Sequence, residues 1–302
     1  MNKINKILKH ITDVNFILRY MLSFKIFGFL PDKLYLKIKY RLNIKKKLNL
    51  KNPQTFNEKI NYLKLYNRDD IQTIMADKYK ARDYVKDKIG EQYLVPLIGV
   101  WDNPDDIDFD KLPNQFAMKC NHNSGLGMCI CKDKSKLDID KVRSELKKGI
   151  AEDYYKNCRE WPYKNIPRKI ICEEFLTQEK DTGLTDYKFF CFNGEPKFMY
   201  VSDGLDNHDT ASISFLTMDW QFAEFERADY NRHKELPEKP VHYEKMIELA
   251  KILSEGFAFL RVDLYEIDGK IYFSELTFSP CGGFMPFTPE KWDAELGKLI
   301  EL

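Results

Sequence analysis

Near the start of the chain Ile7, Leu8, Ile11, Val14, Ile17, Leu18, Met21 and Leu22 recur at helical spacing, while Lys3, Lys6 and Arg19 fall among polar positions. Residues three and four apart share one helix face, so the spacing predicts an amphipathic helix. Lys25, Lys33, Lys37 and Lys39 interrupt every apolar run short of the roughly 20 residues that span a bilayer. The segment is therefore expected to dock on protein or rest on a surface, and not to cross a membrane.

Further along, Thr55 followed by Glu58 is a capping-box pattern that opens a helix, and a second helix is expected from Asp69 through Lys86. A strand with turns follows around Leu94 to Pro104. The apolar run Phe116-Ala117-Met118 puts Lys119 at the end of a strand, Asn121 to Gly127 forms a flexible turn, and Met128 to Cys131 is the returning strand. A helix is expected from about Asp138 to Lys156. The short apolar strand Lys169 to Cys172 runs into Glu173-Glu174-Phe175-Leu176, and Asp186 to Tyr200 reads as two strands joined at Asn193-Gly194. A helix from His242 to Gly256, a strand from Ala258 to Ile267, an Asp268-Gly269 turn and a strand from Lys270 to Phe278 complete the pattern. No internal repeat is found.

Composition adds three constraints. With 302 residues, 43% apolar and 14% aromatic, the chain can bury a large core, and low-complexity disorder is excluded. One core unit with one appendage accounts for this length. The net charge is only +1, yet residues 1 to 50 set many Lys and Arg against Asp13 and Asp32 alone. Such a basic end docks on the body of the protein or touches anionic lipid. Nucleic acid is not expected as a partner, because the nearby aromatic residues belong to the apolar stripe and not to a basic face. The seven cysteines, odd in number and preceded by no cleavable signal, read as free thiols of a reducing compartment, the cytoplasm.

The chemistry concentrates in a few charged residues on apolar strands. Asp263 and Glu275 are carboxylates of this kind, and buried carboxylates need a compensating cation. Magnesium bound to substrate phosphates takes one or two protein carboxylates. A three-residue loop ending at Lys270 sets Asp263 opposite Glu275, whereas a two-residue Asp268-Gly269 loop sets it opposite Ser274; the three-residue loop is expected. Thr277 then shares the Glu275 face and offers a neutral oxygen. The alternative is that both acids pair with Arg261 and nearby lysines on an exposed sheet face. Lys119 followed by a Gly- and Ser-bearing loop can neutralise and cradle phosphate, but it lacks the Gly-Lys-Ser/Thr ending of a Walker loop. An ordinary hairpin is the other reading. Lys188, among Tyr187, Phe189 and Phe190, wants an anionic partner, either a ligand or Asp186 on its own face.

The phrases NPQTFNEKINYLKLYNRD, DKYKARDYV, LPNQFAMKCNHNSG, IICEEFL, DYKFFCFNGEPKFMYV and FLRVDLYEIDGKIYFSELTFSPCGGF, in this order, resemble the ATP-grasp superfamily. They look most like its teichuronopeptide-biosynthesis branch, whose members are often labelled polysaccharide-biosynthesis proteins or glycosyltransferases. The resemblance covers most of the chain from Asn52 onward. It implies an α+β fold in which two α+β subdomains clamp ATP. A basic helical region at 1–75 would precede a catalytic domain at 76–302, with the nucleotide hinge near 170–180. Lys78, with Lys80 and Arg82 close by, would match the first lysine region, and Lys119 would contact the α- and β-phosphates. Asn123, Ser124 and Gly125 would form the lid. Glu173, Glu174, Phe175 and Leu176 would make the adenine hinge, and Asp186 and Lys188 would complete the ATP site. Asp263 and Glu275 would hold Mg2+, with Thr277 in the place where many members carry Asn.

The resemblance further implies that a substrate carboxylate attacks the γ-phosphate and that an amine then attacks the acyl phosphate to give an amide. Arg261 or Lys188 would add cationic charge at the reacting centre. No protein nucleophile is needed, so His122 and the cysteines are not expected to be catalytic, and a zinc site from Cys120, Cys129 and Cys131 lacks a fourth ligand. The acid would be a uronic acid of a cell-surface polysaccharide or its precursor, and the amine an amino acid or simple amine, handled in the cytoplasm or at the inner face of the membrane. Ser279, Gly282 and Gly283, just past the metal strand, would read the acceptor, or else form a turn leaving the sheet. Two rivals remain. One is a nucleotide-sugar glycosyltransferase using Asp106-Ile-Asp108 or Asp108-Phe-Asp110, which here reads as a solvated loop; the other is a kinase on the same clamp.

Overall fold

The computed structural model describes residues 28–177, 184–204 and 211–302. The helix expected over Ile7 to Leu22 lies outside them. Four helices come first: α1 (Asp32–Ile44), α2 (Phe56–Tyr66), α3 (Asp70–Ala76) and α4 (Ala81–Ile89). Then come β1 (Leu97–Trp101), β2 (Phe116–Cys120), β3 (Cys129–Cys131), α5 (Ile139–Ala151), the short α6 (Tyr155–Cys158) and β4 (Ile170–Glu174). The rest comprises β5 (Asp186–Phe192), β6 (Glu195–Asp203), β7 (Ser212–Thr217), β8 (Glu226–Arg227), α7 (Tyr243–Ser254), β9 (Phe259–Ile267), β10 (Lys270–Thr277), β11 (Phe287–Thr288) and α8 (Lys291–Gly297).

Two antiparallel sheets organise these elements, one in the order β1-β4-β2-β3 and one in the order β10-β9-β5-β6-β7, with β8 and β11 as a separate pair. The architecture is α+β, as expected. In the four-stranded sheet, Phe116, Met118, Ile170 and Cys172 alternate inward to meet Leu146 of α5. Lys119 and Glu173 belong to the opposite face, since Lys119 pairs with Ile171 and Ala117 with Glu173.

The five-stranded sheet buries both faces, but differently. One face, with Phe189, Met199, Val201, Leu216, Val262 and Leu264, packs on Tyr243, Met246, Leu249 and Leu253 of α7. The other face is divided. Its far end is aromatic, Phe190, Phe192, Phe198, Phe215 and Phe259 packing on Phe56 and Ile60 of α2 and Leu296 of α8. Edge-to-face contacts such as Phe56 to Phe259, with centroids 5.1 Å apart, order this end. Its near end carries the charged residues. α2 is thus part of the sheet's core.

Local signals account for most elements. The capping box forms as expected, Thr55 accepting from the Glu58 amide while the Glu58 carboxylate accepts from the Thr55 amide. Asn193-Gly194 and Asp268-Gly269 both adopt left-handed conformations, with φ of 50° and 80° in the first and 50° and 72° in the second, as tight hairpin turns demand. Two expectations on length need correction. The helix expected from Asp69 to Lys86 breaks after Ala76, because the Asp77 carboxylate accepts from the Tyr79 and Lys80 amides and from Asn121 Nδ2. The helix expected to reach Lys156 ends at Ala151.

Candidate active site

The charged end of the five-stranded sheet is set by a β-bulge. Lys270 pairs with Ile267, so the turn is the two-residue one, and not the three-residue loop expected from the sequence. The register then shifts between Phe273 and Glu275, which brings Glu275 opposite Asp263 all the same. One extra residue in the strand does what a longer loop was expected to do.

Asp263 is fully buried and accepts three charge-assisted hydrogen bonds. Arg261 Nε and Nη2 reach its two oxygens at 2.7 and 2.6 Å, and Lys188 Nζ adds a third bond at 2.9 Å. Lys188 also pairs with Asp186 at 2.9 Å. Burial works against the Lys188 charge, but Asp186 and Asp263 overcome it and raise its pKa well above the usual lysine range. Arg261 reaches on to Glu275 at 2.8 Å, and Thr277 Oγ1 lies 3.5 Å from the same Glu275 oxygen. Burial pushes the Glu275 pKa up, yet Lys78, Arg261, Lys188 and Lys119 pull it down to about 2. Glu275 is the more open acid, its side chain 30% exposed. The pairing with Arg261 and lysines weighed from the sequence does occur, but on an inward face and not on an exposed one.

The four-stranded sheet contributes the opposing cations. Lys119 Nζ lies 2.7 Å from Glu173 Oε2, and Arg82 Nη1 lies 3.0 Å from Glu173 Oε1. The break between α3 and α4 places Lys78, whose amide donates to the Asn121 carbonyl at the end of β2. Its ammonium donates to the Asn123 carbonyl at 2.7 Å and approaches Glu275 Oε2 at 3.7 Å. Burial, partly offset by Glu275, lowers the Lys78 pKa. Lys78 therefore bridges the loop after β2 and the acid on β10.

In that loop Asn123 is buried and donates to the Gly149 carbonyl of α5, while Ser124 and Gly125 are exposed. Gly127 rests directly on Gly149: a Cβ at Gly127 would lie 2.8 Å from the Gly149 Cα. Glu174, Phe175 and Leu176 continue from β4, with the Glu174 amide bound to the Pro96 carbonyl and its side chain exposed. Beyond β10, Ser279 is buried, and the Gly282 and Gly283 carbonyls accept from Lys64 and from Asn61 of α2. Residues 281 to 283 all have positive φ, and a Cβ at Gly282 would meet Cys158 Sγ at 2.5 Å.

The family described as TupA-like ATPgrasp matches residues 58–301, most of the chain. The chain belongs to the TupA-like ATP-grasp family. No curated protein matches it. Among solved structures it is similar to the D-alanine-D-alanine ligase of Helicobacter pylori, at 16% identity and a TM-score of 0.47, covering 83% of this chain and 70% of that one. The ATP complex of the Bacillus anthracis D-alanine-D-alanine ligase is similar at 16% identity and a TM-score of 0.39, covering 68% and 54%. An ADP complex of N5-carboxyaminoimidazole ribonucleotide synthetase gives 14%, 0.41, 69% and 46%. The chain thus spans about half the length of the last two.

For this ATP-grasp enzyme, several residues that face the charged end were not singled out from the sequence. Arg82 was noted only as a neighbour of Lys78, and its pairing with Glu173 depends on strand register that the sequence does not display. Glu160, Tyr154 and Tyr163 come from a segment without periodic pattern. The pairs Asp106/Asp108 and Asp108/Asp110 lie in two single turns where Asp108 accepts from the Asp110 amide and pairs with Lys111. Among the described residues no group of three or more His, Cys, Asp or Glu gathers into a metal site, and no helix is long and apolar enough to cross a membrane.

Proposed function

We propose that this ATP-grasp enzyme joins a carboxylate to an amine through an acyl phosphate, with a uronic acid of a cell-surface polysaccharide or its precursor as the acid. The observation that carries the reading is Lys78 touching both the Asn123 loop and Glu275, which draws the cations of one sheet and the acids of the other around one cleft. A triphosphate between them would meet Lys78 and Lys119, with the exposed Ser124 and Gly125 above it and residues 173 to 176 alongside the base. Asp186 and Lys188 border the same space.

Glu275, Thr277 and Asp263 are the donors that fit Mg2+: two carboxylates and a hydroxyl, the small oxygen set that magnesium takes when phosphates supply the rest. Glu275 and Thr277 are the more open of these, whereas both Asp263 oxygens already accept from Arg261 and Lys188. A bound ion would supply charge neutralisation at the phosphates. Arg261, held by two acids, is oriented to stabilise negative charge on the transferring group, and Lys188 fixes Asp263 from behind. Catalysis on this reading is positioning and electrostatics, with no covalent enzyme intermediate.

The resemblance to the polysaccharide-biosynthesis branch supports the choice of acid, and the Ser279 to Gly283 turn beside the charged end, exposed at Cys281 and buried elsewhere, supports an acceptor site there. Seven free cysteines support a cytoplasmic setting, with the basic stretch of 1–50 offering contact to the inner membrane face. Incubation with ATP, Mg2+, glucuronate and hydroxylamine tests the reaction class. An acyl phosphate is trapped as a hydroxamate; a phosphorylated sugar without hydroxamate indicates a kinase and overturns the ligase reading. Asp108→Ala retains full activity on this reading, and its loss would favour sugar transfer from a nucleotide.

A further inference from the structure

Glu160 is 6% exposed, and while its backbone carbonyl accepts from the Tyr163 amide, its carboxylate makes no hydrogen bond and meets no cation within ion-pair distance among the described residues. Buried carboxylates without partners are rare in native proteins, because the lost hydration is not repaid, and they gather where a ligand completes them. Its surroundings say which ligand. The segment carrying Glu160 abuts the end of β10: a small cavity of about 30 Å3 is lined by Pro162 and Lys64 together with Phe278 and Ser279. The Glu160 carboxylate lies within electrostatic reach of Lys64 and Lys39 on one side and of Glu275 and Arg261 on the other. Lys64 does not satisfy it, since that ammonium donates to the Cys158 and Gly282 carbonyls and sits 4.8 Å from the Phe284 ring centroid. Tyr154 and Tyr163, their rings edge to face at 4.8 Å, are partly exposed and flank it. A carboxylate beside two aromatic rings is a receptor for an ammonium group.

We propose that Glu160, with Tyr154 and Tyr163, forms the subsite that binds the amine substrate as an ammonium ion and takes a proton from it. This rests on the ligase reading above. The ammonium gives one proton to the Glu160 carboxylate; the freed nitrogen lone pair forms the bond to the acyl carbon. The carbon–oxygen bond to phosphate then breaks, its electron pair leaving with phosphate, which carries away the second proton. Burial pushes the Glu160 carboxyl up to about 7, against the pull of Lys64 and Lys39, so it can exchange a proton near neutral pH. The groups that face it are Lys64, Lys39, Arg261, Glu275, Tyr154, Tyr163 and Cys281.

The test uses the full chain with ATP, Mg2+ and glucuronate and compares two nucleophiles, hydroxylamine, neutral at pH 7, and ethanolamine, an ammonium ion there. Glu160→Gln forms hydroxamate at a rate within about twofold of the wild type but loses amide formation with ethanolamine by roughly 100-fold. The wild-type ethanolamine rate rises as Glu160 deprotonates and levels off above neutral pH, whereas that of Glu160→Gln keeps rising with the free-amine fraction. Its melting temperature is not lowered, because the removed charge makes no hydrogen bond or close ion pair and its burial outweighs the pull of Lys64 and Lys39. Equal losses with both nucleophiles, an undiminished ethanolamine rate, or a destabilised variant would each overturn the subsite. A wild-type chain that forms no hydroxamate overturns the ligase reading itself, which keeps the two failures apart.

Discussion

The Lys119 ammonium lies 2.7 Å from the Glu173 carboxylate, whose second oxygen is held by Arg82 at 3.0 Å. One acid therefore offsets two cations that face the cleft. Glu173→Gln leaves both without a counter-charge at a largely buried position, at a cost of roughly 1–3 kcal/mol. The phosphates of ATP would replace the missing negative charge. ATP therefore raises the melting temperature of Glu173→Gln by more than it raises that of the wild type, measured at low salt where screening is weakest. An equal or smaller increment in the variant would show that Lys119 and Arg82 do not meet phosphate.

Glu275 makes a pH prediction whose sign follows from its partners. Its pKa is held at about 2 against an ordinary 4.5, burial being outweighed by Lys78, Arg261, Lys188 and Lys119. A carboxyl depressed in the folded state adds stability that is fully present above the unfolded pKa and is lost as pH falls through the folded one. Between about pH 4.5 and pH 2 the wild type should lose on the order of 2 kcal/mol from this group, after allowance for its partial exposure. Urea unfolding of wild type and Glu275→Gln across that range measures the difference, and parallel curves would count against it. Glu275→Gln also loses the Mg2+-dependent part of ATP stabilisation.

Asp263, Glu275 and Lys188 were legible in the sequence because ionised side chains among aromatic and aliphatic strand residues require partners, whatever those partners are. The hairpins at Asn193-Gly194 and Asp268-Gly269 were legible because two successive left-handed residues admit few side chains. The break at Asp77 and the bulge before Glu275 were not. Both are tertiary: Asp77 is drawn to Asn121, 44 residues away, and the bulge satisfies two faces of β10 at once. Glu160 and Arg82 carried no local signal either, since their roles arise only when the α3–α4 break and the 154–163 segment close on the sheets.

Asp263 and Glu275 share a cluster but not a structural role, and stability should separate them. Asp263 is wholly enclosed and takes three charged hydrogen bonds from Arg261 and Lys188, so Asp263→Ala leaves these buried cations with one acid each, Glu275 and Asp186, and costs about 3–5 kcal/mol. Glu275 is partly exposed and its loss leaves Arg261 still paired, so Glu275→Ala costs about 1–2 kcal/mol. Urea midpoints at neutral pH give both values. Equal costs would mean that the two acids are interchangeable supports, contrary to the division between an inner anchor and an open donor.

The bulge itself can be tested by deletion. Phe273 pairs with Leu264 and Glu275 with Asp263, so Ser274 is the residue without a place in the ladder. Phe273 belongs to the α7-facing core and Glu275 to the charged end, and adjacent strand residues point to opposite faces anyway. Removing Ser274 should therefore preserve both the register and the facing of these side chains, with the Asp268-Gly269 turn unchanged. The shortened chain is expected to fold and to keep Mg2+-dependent stabilisation by ATP, although weakened by the loss of local twist. Deleting Tyr272 is the contrast: it moves the 273 and 275 positions relative to the turn, turns one of them to the wrong face, and should abolish folding. If the two deletions behave alike, the bulge is not what sets Glu275 against Asp263.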